Sequence, residues 1–279
     1  MHIPPHDNQN RAIIDTNDPL VPLVYFNIVK LKAGEVFVSQ VPGYETCVVP
    51  ATGTVDVETD GQRFAGIGLR RANVWDGEPE GVYVPSGAAA RITCVADAEV
   101  FVAGALFAEA RPAFAVRAAD IDPVQYGSDD TKTHRKIKHI LGQKYHDRVG
   151  RLLVSELYTV GKGGWSGFPS HKHDTNRLPL ETRHDEAYNF RFNPPHGSGL
   201  QMLQRQEGKS GDAYHIVDGS TVAIDKGYHP CCVLPGYEMY YFTILGGLTQ
   251  RPLVQYFQPE HADQIETIPG IKDMIAKFK

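Results

Sequence analysis

Two histidines one residue apart, His171 and His173 in the run SHKHD, are the residues best placed for chemistry. Side chains alternate from face to face along a strand, so both imidazoles point the same way and make a chelating pair. Glu186, thirteen positions after His173, opens EAYNFRF, whose aromatic alternation is that of a strand. His229 sits in DKGYHP, bracketed by Gly227 and Pro230 in a turn or strand start. Three imidazoles and a carboxylate suit zinc, manganese, iron, nickel or copper, and leave one or two positions open for water or substrate. The expectation is a catalytic divalent metal ion.

Each of these residues alone has a plainer reading. An H-x-H pair can lie on a solvated strand face, Glu186 beside Arg183 and Asp185 can join a charge cluster, and His229 can cap a turn. Together they demand a coincidence of order and spacing that the metal explains in one step. Strand parity then sorts their neighbours. If Glu186 faces into a barrel, Tyr188, Phe190 and Phe192 do too, while Asn189 and Arg191 face out, and Lys172 points away from its two histidines. Tyr188, Tyr241 and Thr243 could offer hydroxyls to a polyol. His184 shares the face of Glu186 and could orient a ligand. His196 reads as a loop residue and His215 as an ordinary strand residue.

The elements around these residues are strands. From Leu23 to about Leu106 short runs rich in Val, Ile, Phe, Tyr and Thr are cut by Gly, Pro or Asp at near-regular intervals, which predicts an antiparallel sandwich or barrel. GTVDVETDGQ is the clearest hairpin, turning at Asp60-Gly61. No histidine lies between His6 and His134, so this half cannot repeat the site. Residues 111–150 break the rhythm and read as a connector. In it THRKIKHILG places Ile137, Ile140 and Leu141 at helical spacing, with Arg135, Lys136 and Lys138 on a solvated face and His139 and His146 at the surface. Strands resume at RLLVSELYTVG and continue to PLVQYF. Ile271, Met274, Ile275 and Phe278 then predict a short C-terminal helix with a lysine-rich end, packed on a barrel or on a neighbouring subunit of a homo-oligomer. The expected organisation is a barrel without metal ligands over 1–110, a connector over 111–150 and a metal-binding barrel over 151–279.

Bulk properties narrow the function class. At 279 residues the chain can bury a core without staples, and 28 basic against 33 acidic residues, well mixed, argue for neither nucleic acid nor anionic membrane as partner. A small molecule is expected instead. Cys47, Cys94, Cys231 and Cys232 have no C-x-x-C spacing, which fits a reducing cytoplasm. The N-terminus lacks the charged and apolar regions of an export signal, and no run of about 18 apolar residues offers a membrane span. His2 and His6 are expected in a disordered or capping tail.

The stretch from Gly167 through His171, His173 and Glu186 to GSTVAIDKGYHP resembles the two cupin signatures, with an insertion between His173 and Glu186 and Asp225 where proline is common. LLVSELYTVG, PSHKHD, EAYNFRFNPP, GYHPCCVLPGYEMYY and GVYVPSGA more narrowly resemble the 5-deoxy-glucuronate isomerase family of bacterial inositol catabolism, itself similar to the uronate ketol-isomerases of pectin breakdown. The resemblance implies an all-β bicupin, two antiparallel barrels with the metal in the second, ligated by His171, His173, Glu186 and His229. The chain departs from the family at Ala187-Tyr188-Asn189, where two adjacent aromatics are common, and at Cys231-Cys232, where small aliphatic residues are usual.

The activity implied by the resemblance is that of an aldose–ketose isomerase, taking 5-deoxy-D-glucuronate to 5-dehydro-2-deoxy-D-gluconate through an enediolate, with zinc or manganese and no organic cofactor. A divalent ion with two open positions can chelate the carbonyl oxygen and the neighbouring hydroxyl and hold the enediolate. The proton-shuttling base is expected among Glu186, Tyr241 and His184. Tyr188, Gln201 and Arg135 are expected to bind substrate, with Arg135 taking the far-end carboxylate. The alternatives are a 5-keto-4-deoxyuronate ketol-isomerase, a cupin dioxygenase and a non-catalytic sugar-binding cupin.

Overall fold

The computed structural model describes residues 1–276. Strands dominate it, built from antiparallel pairs. In the first half two long strands, Tyr44–Thr59 and Ala89–Leu106, carry an eight-stranded sheet to which Ala12–Ile14, Val24–Leu31, Val36–Gln40, Gln62–Ile67, Gly81–Val84 and Phe114–Val116 are joined. The expected hairpin is there: Asp60 and Gly61 both take positive φ, the geometry that lets a two-residue turn follow the strand twist.

The second half places His184–Asn193, Glu238–Gly247, Leu152–Thr159 and Thr221–Ile224 side by side in a seven-stranded sheet. A four-stranded sheet of Gly164–Ser166, Cys231–Val233, Ser198–Leu203 and Asp212–Val217 closes over it. Between the two lies a core of Tyr188, Phe190, Phe192, Leu203, Ile216, Ile224, Cys231, Met239 and Tyr241, drawn from both sheets. No helix among the described residues is long and apolar enough to cross a membrane.

The helix expected around Ile137, Ile140 and Leu141 is instead the strand Arg135–Leu141, paired with Asp122–Tyr126 and Leu152–Thr159. A bulge between His139 and Leu141 inserts one residue and slips the apolar phase, which mimics the three-and-four spacing of a helix. The solvated face and the surface position of His139 fall with it: Arg135, Lys138 and His139 are all buried, whereas His146 is exposed. The helical turns of this region are two short 3-10 turns, Ala118–Asp120 and Gln143–Tyr145. At the other edge of the seven-stranded sheet, His2–Ile3 pairs with Thr221–Ile224, so the N-terminal tail caps an edge and is ordered. The C-terminal helix is Ile271–Ala276 and buries Ile271 and Met274, while Phe278 and the flanking lysines Lys277 and Lys279 lie outside the described residues.

The halves share one continuous core. Phe26 and Phe101 from the first meet Phe242 from the second, with the Phe101 and Phe242 ring centroids 4.8 Å apart. At its edge Arg70 reaches across to Glu156 with bonds of 2.7 and 2.6 Å, and Tyr158 and Tyr240 donate to the same carboxylate. All four are buried. Burial alone would drive Arg70 toward losing its proton, but the Glu156 carboxylate holds it charged. Removing one member of such a pair leaves the other desolvated and uncompensated, so Glu156→Ala should cost about 3–5 kcal/mol of stability. Urea unfolding of the variant should show a lower midpoint at unchanged slope. A loss no greater than that from breaking the exposed Lys32–Asp97 pair would contradict this role.

Candidate metal centre

Three chain segments converge on one point in the second half. His171 lies in the strand His171–Lys172, which pairs with Tyr256–Phe257, and His173 follows immediately. Glu186 sits near the start of His184–Asn193, between Ile224 and Leu245 on its neighbours. His229 comes from the turn after Thr221–Ile224. There Gly227 holds a positive φ, and a Cβ on it would stand 2.4 Å from Gln204 O, so only glycine allows the approach.

The three imidazoles each offer a nitrogen within 4.8 Å of the others. Glu186 Oε2 is 3.1 Å from His173 Nε2 and 3.2 Å from His229 Nε2. Each Nδ1 faces a backbone carbonyl: Pro169 O at 3.3 Å for His171, His184 O at 3.1 Å for His173 and Gly227 O at 2.8 Å for His229. A carbonyl only accepts, so each Nδ1 carries the proton and each Nε2 presents a lone pair. Two lone pairs thus point at a carboxylate oxygen, an arrangement that repels itself unless a proton or a cation lies between. His229 Nε2, although buried and close to Glu186, is not aligned in any hydrogen bond.

Without an ion, a proton shared between His173 Nε2 and Glu186 Oε2 fills that role. Burial and the neighbouring His229 and His173 push the His171 imidazolium well below its usual range, so that ring is neutral. Burial would raise the Glu186 carboxyl, but the His173 and His229 rings beside it outweigh that and hold it well below the usual carboxylate range. His173 moves the other way, raised by Glu186 against the cost of burial. Three nitrogens and one ionised oxygen, buried and pre-oriented by their far-side bonds, fit a divalent cation such as zinc or manganese. His171, His173, Glu186 and His229 would hold it.

The inserted loop between His173 and Glu186 braces this centre. Glu181, fully buried, accepts from Lys172 Nζ at 2.9 and 3.0 Å, from Arg177 Nε at 2.7 Å and from the backbone of Asp174 and Thr175. Lys172 therefore points away from the imidazoles and ties their strand to the loop. Asp174 Oδ2 accepts from Gly227 N at 2.8 Å and so links the His173 turn to the His229 turn.

Beside His171, His173 and Glu186 is a small cavity of ≈ 50 Å³, room for only a few waters. Tyr188, Tyr241, Thr243 and Arg135 are on its wall, and Ile271 and Met274 of the C-terminal helix cover it. Tyr241 Oη is 2.6 Å from Ser166 Oγ, and Arg135 Nη1 donates to the same serine at 3.1 Å. Gln201 and His184 stand elsewhere. Gln201 Nε2 donates to His229 O at 2.8 Å and supports the backbone of that histidine. His184 faces Arg251 O with Nε2 and Thr182 Oγ1 with Nδ1, and burial lowers its pKa to about 4. His196 and His215 are not in the cluster. Sequence reasoning missed Gln255, whose amide nitrogen is 2.9 Å from His171 Nε2, because nothing in PLVQYF marks it out.

Glu186→Gln keeps the size and removes the charge. The variant should purify with at least tenfold less bound divalent metal than the parent at unchanged circular dichroism, whereas His215→Ala should keep its metal. Equal metal content in the parent and the Gln variant would rule out Glu186 as a ligand.

Comparison with known proteins places this geometry in context. The 5-deoxy-glucuronate isomerase of Shouchella clausii is 31% identical over 237 residues, covering 84% of this chain and 85% of that protein. That of Geobacillus thermodenitrificans is 30% identical over 224 residues, 80% of each. A crystal structure of an IolB-like protein from Salmonella typhimurium superposes with a TM-score of 0.85 at 27% identity, over 94% of this chain and 97% of that one. An oxalate decarboxylase from Bacillus subtilis shares the fold alone, with a TM-score of 0.61 at 10% identity, over 100% of this chain and 85% of that one. The architecture is that of a bicupin. A family model described as the KduI/IolB family matches residues 2–264, and this chain belongs to that family.

Proposed function

We propose that this chain is a metal-dependent aldose–ketose isomerase converting 5-deoxy-D-glucuronate to 5-dehydro-2-deoxy-D-gluconate in myo-inositol catabolism. The observation that carries it is a pairing within one cavity: a cation cage and a buried arginine that has no carboxylate partner among the described residues. Arg135 is 1% exposed. Its guanidinium donates to Thr133 O, Ser166 Oγ and Phe168 O and stacks over Tyr126, all neutral groups. Burying a charge without a counter-charge is costly, and a substrate carboxylate supplies the missing anion. The relatives' names support the same substrate.

When bound, the divalent ion would polarise the substrate carbonyl and stabilise the enediolate. The protein's own residues do the rest. Arg135 holds the carboxylate and fixes which end of the sugar reaches the cage. Tyr188, Tyr241 and the buried Thr243 hydroxyl, which lacks a partner among the described residues, face the polyol. Of the candidate bases, His184 is off the cavity wall, and burial holds the proton on Tyr241. Glu186 is ionised and on the wall. Its Oε1, the oxygen that does not face His173 or His229, takes the shuttled proton. The cavity is too small for a six-carbon acid, so admission requires its wall to open, and Ile271 and Met274 of the C-terminal helix are on that wall. In this reading residues 1–110 are a scaffold barrel, 111–150 the connector and 151–279 the catalytic barrel. Four unpaired cysteines support a cytoplasmic setting.

The test is turnover of a panel of uronates in deuterated buffer under argon. Ketose should form from 5-deoxy-glucuronate without oxygen or nicotinamide, with solvent deuterium at the carbon beside the carbonyl. Faster conversion of 5-keto-4-deoxyuronate would move the assignment to that ketol-isomerase, and a requirement for oxygen would make the chain a dioxygenase. Arg135→Ala should raise KM roughly tenfold to a hundredfold, the worth of a hydrogen bond to a charged group. An unchanged KM would remove Arg135 from substrate binding.

A further inference from the structure

His171 differs from its two companions. His173 Nε2 and His229 Nε2 face the Glu186 carboxylate, but His171 Nε2 lies 2.9 Å from the side-chain amide nitrogen of Gln255. His171 Nδ1 is committed to Pro169 O, so Nε2 carries a lone pair and the amide donates to it. An amide proton therefore stands where a cation would draw that lone pair. Gln255 cannot retreat far. The residues after it, Tyr256 and Phe257, pair with Lys172 and His171, which keeps its backbone beside the cage whatever its side chain does. It is also on the cavity wall, with Arg135 and Thr243.

We propose that Gln255 is a catalytic donor with two alternating acceptors. Its amide donates to His171 Nε2; once His171 gives that lone pair to a cation, the amide donates to the reacting oxygen of the bound sugar acid. The second half rests on the isomerase reading. As the C–H bond beside the carbonyl breaks, the proton passes to Glu186, the electron pair forms the carbon–carbon double bond of the enediolate, and charge gathers on the carbonyl oxygen. A fixed N–H donor at that oxygen strengthens as the charge develops, which lowers the barrier more than it tightens substrate binding. A neutral amide suits the position because it adds no charge and competes only weakly with the three imidazoles for the ion.

Two readouts on Gln255→Leu test the proposal. Titrated with zinc after stripping, the variant should bind roughly threefold to tenfold more tightly than the parent, because no amide hydrogen bond must first be broken. On the preferred uronate its kcat should fall roughly a hundredfold with KM within a few-fold. Gln255→Glu, nearly the same shape but without a donor, should lose kcat as fully. Zinc affinity that is unchanged or weaker in the Leu variant overturns the alternation, and a kcat within twofold of the parent overturns the donor role. Wild-type protein inert toward every uronate would remove the isomerase reading and the donor role with it, while the zinc titration still decides what Gln255 does at His171.

Discussion

Everything in the second half is arranged around an unfavourable convergence: imidazole lone pairs and a carboxylate oxygen driven together out of water. The backbone enforces it. Each Nδ1 is tied to a carbonyl of its own neighbourhood, so no ring can rotate to relieve the repulsion without breaking a buried hydrogen bond. Glu181 and Asp174 extend the same constraint outward, clamping Lys172 and the two turns that carry His173 and His229. Such a cluster needs a proton or a cation at its centre, and three imidazoles beside one carboxylate fit a cation.

The first half contributes stiffness. It offers no histidine to the cluster, yet it covers the outer face of the seven-stranded sheet with Phe26 and Phe101 and sends Arg70 to Glu156 and Glu99 to Arg191. Glu156 alternates with Ser155 and Leu157, which face the cavity, so the strand that walls the cavity is fixed from behind by a buried ion pair. A scaffold of this kind limits how far the four candidate ligands can shift, as a metal's geometry would demand.

How much of this the sequence disclosed depended on whether a local rule governed the position. His171, His173 and Glu186 were legible because strand parity decides their faces, and His229 because glycine and proline mark its turn. The same parity put Arg191 outside, where it meets Glu99. The strand Arg135–Leu141 was misread because a single bulge imitates helical spacing, and local pattern cannot distinguish a slipped phase from a 3.6-residue period. The error hid the burial of Arg135, though not its identity as a candidate. Gln201 was found but given the wrong neighbour, since its amide turns to a ligand's backbone and not to the cavity. Gln255 was invisible: its importance comes from pairing across 84 residues of chain, and no composition rule reaches that far.

The most direct measurement is metal stoichiometry coupled to turnover. Exhaustively chelated protein, folded by circular dichroism, should be inactive on 5-deoxy-glucuronate and should regain activity in proportion to added zinc or manganese, with a break at one ion per chain. Full turnover from protein shown to be free of metal would contradict a cation-centred mechanism.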